Sequence, residues 1–181
     1  MFQKLKNFYH LFQAILANLW YGFPSQKLKI IGITGTDGKT TTTHLIAHIL
    51  KTAGKKVSFV SSVFASIGGK ESDIGFHVTT PSSFALQKLL QQSVNNNDEY
   101  FVLETTSHAI DQNRTWGIKY KIGVLTNVTH EHLDYHKTYE EYLNTKLKLL
   151  KMANVAIVNK DDESYCYIKD KKLLLLDYYN V

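Results

Sequence analysis

The sequence predicts an α/β fold: a mostly parallel sheet flanked by helices and preceded by one N-terminal helix. Three observations predict it. Short β-branched runs alternate with amphipathic helical stretches, the pattern of a parallel sheet covered by helices. A glycine-rich turn, Gly35-Thr36-Asp37-Gly38, joins the first apolar strand directly to a helix. The composition, 44% hydrophobic and 20% charged over 181 residues, is that of a globular domain large enough to bury a core.

Residues 1–27 read as an amphipathic helix and linker, and residues 28–181 as the α/β domain. Phe8 to Tyr21 is strongly apolar behind Lys4 and Lys6. Gln13 and Asn18 interrupt the run, no small-residue cleavage site follows, and about 14 residues is too short to span a bilayer. A helix packing on the domain or on a partner is the expectation, with contact to a membrane surface through residues 8–21 the lesser alternative. Gly22-Phe23-Pro24-Ser25 ends it. Strands are expected at Leu28–Ile33, Val57–Ser61, Tyr100–Glu104, Ile122–Thr126, Val155–Asn159 and Leu173–Asp177. Helices are expected at Lys39–Ala53, Pro81–Val94, Tyr139–Met152 and, briefly, Glu163–Lys169. Thr80 before Pro81 reads as a cap followed by proline at the first helical position. Thr138 and Glu141 make a capping-box pattern. Val63–Ile74, with Gly68-Gly69 inside it, reads as a hairpin excursion.

In such sheets ligands collect beyond the carboxyl ends of the strands, so the residues just after each strand carry the chemistry. Gly35 to Thr41 is a variant phosphate-binding loop. The strict spacing G-x-x-x-x-G-K-[ST] fails because Ile33 stands where its first glycine would be. The glycines let backbone N–H groups turn toward phosphates, and the helix N-terminus adds partial positive charge. Lys39 suits the β- and γ-phosphates, and the Thr40 hydroxyl suits Mg²⁺. Glu104 closes an apolar strand where an acidic group can serve that metal. The net charge of +5 fits anionic substrates, and no basic-aromatic motif points to nucleic acid. A single cysteine, Cys166, excludes an internal disulfide framework and a four-thiolate zinc site and suits the reducing cytoplasm. His130, His132 and His136 with Glu131 and Asp134 form a dense polar loop, a near miss to a zinc-hydrolase motif that Tyr135 interrupts. His44 and His48 share a helix face without the glutamate that would complete a zinc motif, so a partly solvated face is expected.

Taken together these stretches resemble the Mur ligase family, in the branch that adds the third residue of the peptidoglycan peptide. The matching residues run in family order from Gly35-Thr36-Asp37-Gly38-Lys39-Thr40-Thr41 through Thr79-Thr80-Pro81 and Glu104 to Arg114. Thr126-Asn127 to His136, Tyr142 to Lys146 and Val158 to Asp162 continue the match. The resemblance implies an incomplete P-loop-type central ATPase domain that uses ATP to turn a UDP-N-acetylmuramoyl-dipeptide carboxylate into an acyl phosphate, which an amino acid then converts to an amide. It implies Thr40 and Glu104 at a first Mg²⁺ and His132 and Lys146 at a second, with Lys146 carbamylated. It gives Lys39, Glu104, His132 and Lys146 catalytic duty, and gives Thr79, Thr80, Thr106, Gln112 and Arg114 the muramoyl-peptide substrate.

Glu131 and Thr105-Thr106 depart from the family's usual Asp and Val-Ser, swaps that keep the chemistry. The resemblance would lead one to expect the family's N-terminal uridine-binding domain and its C-terminal domain, which closes over ATP and selects the amino acid; the expectation is that this stretch is a truncated central domain without them. The missing C-terminal domain could be a separate chain, and the expectation is that this polypeptide alone does not complete the ligation. The alternatives are a folylpolyglutamate- or cyanophycin-synthetase-like relative, and a non-catalytic ATP-binding module acting through partners.

Overall fold

The computed structural model describes residues 2–73, 79–129, 135 and 137–169. A seven-stranded sheet runs through it, with β1 (Lys29–Thr34), β2 (Val57–Val60), β3 (Ala65–Ile67), β4 (Lys70–Ser72), β5 (Tyr100–Glu104), β6 (Tyr120–Leu125) and β7 (Ala153–Val158). Their spatial order is β4-β3-β2-β5-β1-β6-β7. The five strands from β2 to β7 in that order pair in parallel, and β3 and β4 add the antiparallel hairpin expected from Gly68-Gly69. Both glycines hold positive φ, 57° and 79°, as a tight two-residue turn between β3 and β4 requires. The strand expected at Leu173–Asp177 lies outside the described residues.

Alternation along the strands sorts side chains to two faces. Ile31, Ile33, Val57, Phe59 and Val102 pack with Ala47 of α2 (Lys39–Thr52) in one cluster. Ile30, Phe101, Leu103, Tyr120 and Leu125 pack with Leu86 and Leu90 of α3 (Ser83–Asn95) in the other. Leu143, Leu147 and Leu150 of α5 (Tyr139–Met152) join this second, larger cluster. Gly32 is required in β1 because an added Cβ would stand 2.5 Å from the Tyr120 ring.

Two expected helix starts behave differently. Thr138 caps α5 as predicted, accepting from the Glu141 N–H at 3.1 Å. Thr80 does not cap α3. Its hydroxyl is engaged across the sheet with Glu104 and Thr106, and the helix is capped instead by Ser82, two residues later. Between β5 and β6 lies a short helix the sequence did not suggest, α4 (Ser107–Asp111), capped by the Thr106 hydroxyl. The last described helix, α6, is Ser164–Ile168 and carries the exposed Cys166.

The N-terminal helix α1 (Phe2–Tyr21) packs along α3. Ala14 and Ala17 are fully buried, and their small side chains let the helix approach closely. Asn18 donates to the carbonyls of Ala14 and Trp116, both at 2.8 Å. Near its start, Gln3 donates to the Tyr135 hydroxyl and Asn7 to Asp111. The helix stops in a Schellman turn, with Phe23 N–H on Asn18 O and Gly22 N–H on Leu19 O while Gly22 and Phe23 adopt φ of 65° and 54°. No described helix is long and apolar enough to cross a membrane.

Candidate active site

Three neighbouring strand ends build the site: β5, β1 and β6, with Ile33 in register with Glu104 and Thr34 with Leu125. From β1 the chain passes through Gly35 to Gly38, whose φ of 73° starts α2. Gly35 has no room for a side chain, since a Cβ there would lie 1.8 Å from the Thr126 hydroxyl. The loop is stitched to the end of β6. Thr126 donates to the Asp37 carbonyl at 2.7 Å, and the Asn127 side-chain oxygen accepts from the N–H groups of Thr36 and Asp37 at 3.1 and 2.8 Å. Lys39 folds back to donate to the Thr36 carbonyl at 2.6 Å.

Glu104 is buried at the end of β5, and its carboxylate accepts from two neighbours, Thr40 and Ser62. The Thr40 hydroxyl stands 3.0 and 3.1 Å from its two oxygens, and the Ser62 N–H donates to it at 2.8 Å. The Ser62 and Thr40 hydroxyls are themselves 2.8 Å apart. This is an oxygen-only donor set at the mouth of the phosphate loop, the kind a hard divalent cation prefers.

Lys146 reaches the loop from the far side. It is 1% exposed, an unusual burial for lysine. Its ammonium donates to the Gly35 carbonyl and lies 4.2 Å from the centre of the Tyr142 ring. Both groups satisfy a buried cation. The Tyr142 hydroxyl lies 3.3 Å from that of Thr36, so α5 grips the loop at two points.

The other end of the site is assembled from two segments. The Thr106 N–H donates to the Thr80 hydroxyl at 3.0 Å, which in turn lies 3.4 Å from the Thr106 hydroxyl. Arg114 donates from Nη1 to the Thr80 carbonyl at 2.6 Å. Its buried Nε has no hydrogen-bond partner among the described residues. Burial lowers the Arg114 pKa from its ordinary value while the nearby Tyr135 partly offsets the shift, and the group remains a cation.

The loop, Ser62, Glu104, Tyr142, Lys146 and the Thr80–Thr106–Arg114 group face one open cleft of about 1050 Å³. Of the residues singled out in the sequence, it is lined by the loop 35–41, Thr79, Thr80, Glu104, Thr106, Gln112, Arg114 and Lys146. His132 lies outside the described residues. The sequence reading missed His10 and Ser62 in the lining, and gave no role of their own to His108, Asn127 or Tyr142. Ser62 acts through its backbone as much as its side chain, so residue type held little signal. His44 is half-buried and His48 exposed, the partly solvated face expected: His44 lies 3.1 Å from the Ser61 hydroxyl, and its ring meets those of Phe59 and Phe64 edge-on.

Comparison with known proteins adds four matches. The family described as Mur ligase middle domain matches residues 33–174. A UDP-N-acetylmuramoyl-L-alanyl-D-glutamate–2,6-diaminopimelate ligase of Clostridium botulinum is 45% identical over 149 residues, spanning 82% of this chain and 30% of that protein. A solved structure of a ligase of the same name superposes with a TM-score of 0.69 at 27% identity, over 84% of this chain and 32% of that one. The fold alone is shared with a folylpolyglutamate synthase of Mycobacterium tuberculosis solved with ADP and AMPPCP, at a TM-score of 0.73 and 12% identity over 94% and 46% of the two chains. The chain spans about 30% of the length of the curated relatives it matches.

Proposed function

The chain belongs to the Mur ligase family as a middle domain, and on that footing we propose that its cleft binds Mg·ATP and activates a carboxylate of a UDP-N-acetylmuramoyl-peptide for amide formation. The observation that carries this reading is the meeting of a phosphate loop, a lysine and an oxygen-only donor set at one end of a cleft with an under-used arginine at the other. In this reading residues 28–181 are the ATP-binding unit, residues 1–27 an accessory helix, and the reaction cytoplasmic.

The substrate carboxylate oxygen attacks the γ-phosphorus, the bond to the bridging oxygen breaks, and ADP leaves. The amine of an amino acid then attacks the acyl carbon, phosphate departs, and the nitrogen gives up a proton. Both steps build charge on oxygen, so the protein's task is positioning and cationic stabilisation. The loop N–H groups and Lys39 take the phosphates. To do so Lys39 exchanges the Thr36 carbonyl for an anion. Arg114, with Thr79, Thr80, Thr106 and Gln112, orients the muramoyl-peptide, an Arg–anion contact being among the stronger hydrogen bonds.

Thr40 and Glu104, with the Ser62 hydroxyl beside them, are the residues that would hold a first Mg²⁺. Bound there, the ion neutralises charge on the phosphates. His132 and Lys146 would serve a second. As an ammonium Lys146 repels a cation, whereas its carbamate would offer oxygen donors once released from the Gly35 carbonyl.

The test is calorimetric titration of the chain with Mg·ATP beside its Lys39→Ala variant, followed by UDP-N-acetylmuramoyl-dipeptide with release of ADP as readout. Saturable binding weakened about a hundredfold in the variant is expected, roughly the cost of removing a charge partner from an anion. Equal binding by both chains would overturn the assignment of the phosphate site. Binding of ATP with no response to the dipeptide would reduce the chain to a nucleotide-binding module.

A further inference from the structure

The inner face of α1 is accounted for, since it is pinned by Asn18 to Trp116, by Asn7 to Asp111 and by two buried alanines. Its outer face is not. Leu5, Phe8, Phe12, Leu16, Leu19 and Trp20 recur at helical spacing on one side, 41% exposed at Leu16 and 80% at Trp20. The stripe runs about 22 Å along the helix. A monomeric soluble domain seldom leaves so continuous an apolar strip in water.

Charge decides between occupants. The first 36 residues hold four lysines, Lys4, Lys6, Lys27 and Lys29, and no carboxylate before Asp37. Two of the lysines belong to the first turns of α1, Lys27 ends the short turn after it, and Lys29 opens β1. A second copy of this chain laid on the stripe, parallel or antiparallel, would bring lysines against lysines with no acid in the segment to offset them. An anionic bilayer matches both parts at once: the large side chains enter the boundary between headgroups and acyl chains, and the flanking lysines meet lipid phosphates. The aromatic ring of Trp20 at one end of the stripe suits that boundary.

We propose that the outer face of α1 docks the protein on an anionic membrane surface. The same helix presents His10 to the cleft, so docking brings the substrate end of the cleft to within about a helix diameter, 10–12 Å, of the bilayer.

The experiment is co-sedimentation of the full chain with phosphatidylcholine vesicles, with and without phosphatidylglycerol. The emission of Trp20 is followed in a Trp116→Phe background, which removes the only other tryptophan. Binding to the anionic vesicles with a blue shift of Trp20 is expected. A Phe8→Gln/Phe12→Gln variant should lose about tenfold or more in partitioning. A Lys6→Gln/Lys27→Gln variant should lose several-fold and most of the lipid selectivity. Because all four positions are exposed, circular dichroism and Mg·ATP titration should be unchanged. Binding that ignores these substitutions overturns the proposal. So does a protein that ignores vesicles, whether it stays monomeric or forms a dimer that Phe8→Gln/Phe12→Gln dissociates. In the dimeric case the face belongs to a second copy of the chain.

Discussion

The nucleotide end of the cleft is made largely of one continuous stretch, residues 35–41, whereas its substrate end joins Thr79–Thr80 to Thr106–Arg114 through contacts between distant segments. The first is held by backbone groups: loop N–H groups on Asn127, the Asp37 carbonyl on Thr126, the Gly35 carbonyl on Lys146. The second depends on side chains, the Thr80 hydroxyl and the Arg114 guanidinium. A backbone-built end should therefore fail with the fold when its glycine is replaced. A side-chain-built end should lose affinity while the fold persists.

Gly35→Ala is the harshest test of that difference. A Cβ only 1.8 Å from the Thr126 hydroxyl and 3.2 Å from the Asn127 carbonyl has nowhere to go. About 3 kcal/mol or more of stability should be lost, measured by denaturant unfolding. A loss under about 1 kcal/mol would mean the loop and β6 can part cheaply.

Next comes Tyr120, whose ring fills the space over Gly32 beneath the same loop. Burial pushes its phenol up to about 12 from an ordinary 10.0. The folded state thus holds the proton more tightly than the unfolded chain. The resulting stability is fully present below pH 10 and is lost as pH rises from about 10 to 12, by about 2–3 kcal/mol in all. Tyr120→Phe should flatten this alkaline slope. If both proteins lose stability alike through that window, some other group governs it.

Arg114→Ala should weaken UDP-N-acetylmuramoyl-dipeptide binding by about 1.5–3 kcal/mol, the range for a hydrogen bond to a charged group, and leave Mg·ATP untouched. A parallel loss of ATP affinity would show that the two ends are not independent. The smallest effect is expected of Ser62→Ala, which keeps the N–H on Glu104 and removes only the hydroxyl beside Thr40. About 1 kcal/mol, or roughly fivefold in the Mg·ATP dissociation constant, should go. No change would take Ser62 out of the metal-binding group.

The contrast also explains what the sequence could tell. Gly35 to Thr41 was legible because the chemistry is contiguous, and Glu104 because a carboxylate ending an apolar strand is conspicuous. Strand order was not legible, and Ser62 and Asn127 matter only because β2 lies beside β5 and β6 beside β1. Asn127 and Tyr142 stood within stretches already singled out, yet the partners of Asn127 follow from β6 lying beside β1, and those of Tyr142 from how α5 crosses the sheet. The start of α3 was misplaced for a related reason: Thr80 has the local chemistry of a cap, and a tertiary partner took its hydroxyl. The short helix α4 offered five residues, too few for periodicity to register.

The Asn127 clasp has a consequence in time. Its carboxamide lies 91 residues downstream of Thr36. A ribosome adding about 5–20 residues per second leaves the nascent loop without this support for about 5–20 seconds. During that interval β1 also lacks its neighbour β6, so the central strand and its loop emerge early and are completed late. The newborn chain carries its apolar first helix through the same interval, and a chaperone that shields that stretch would act while the site is still unmade.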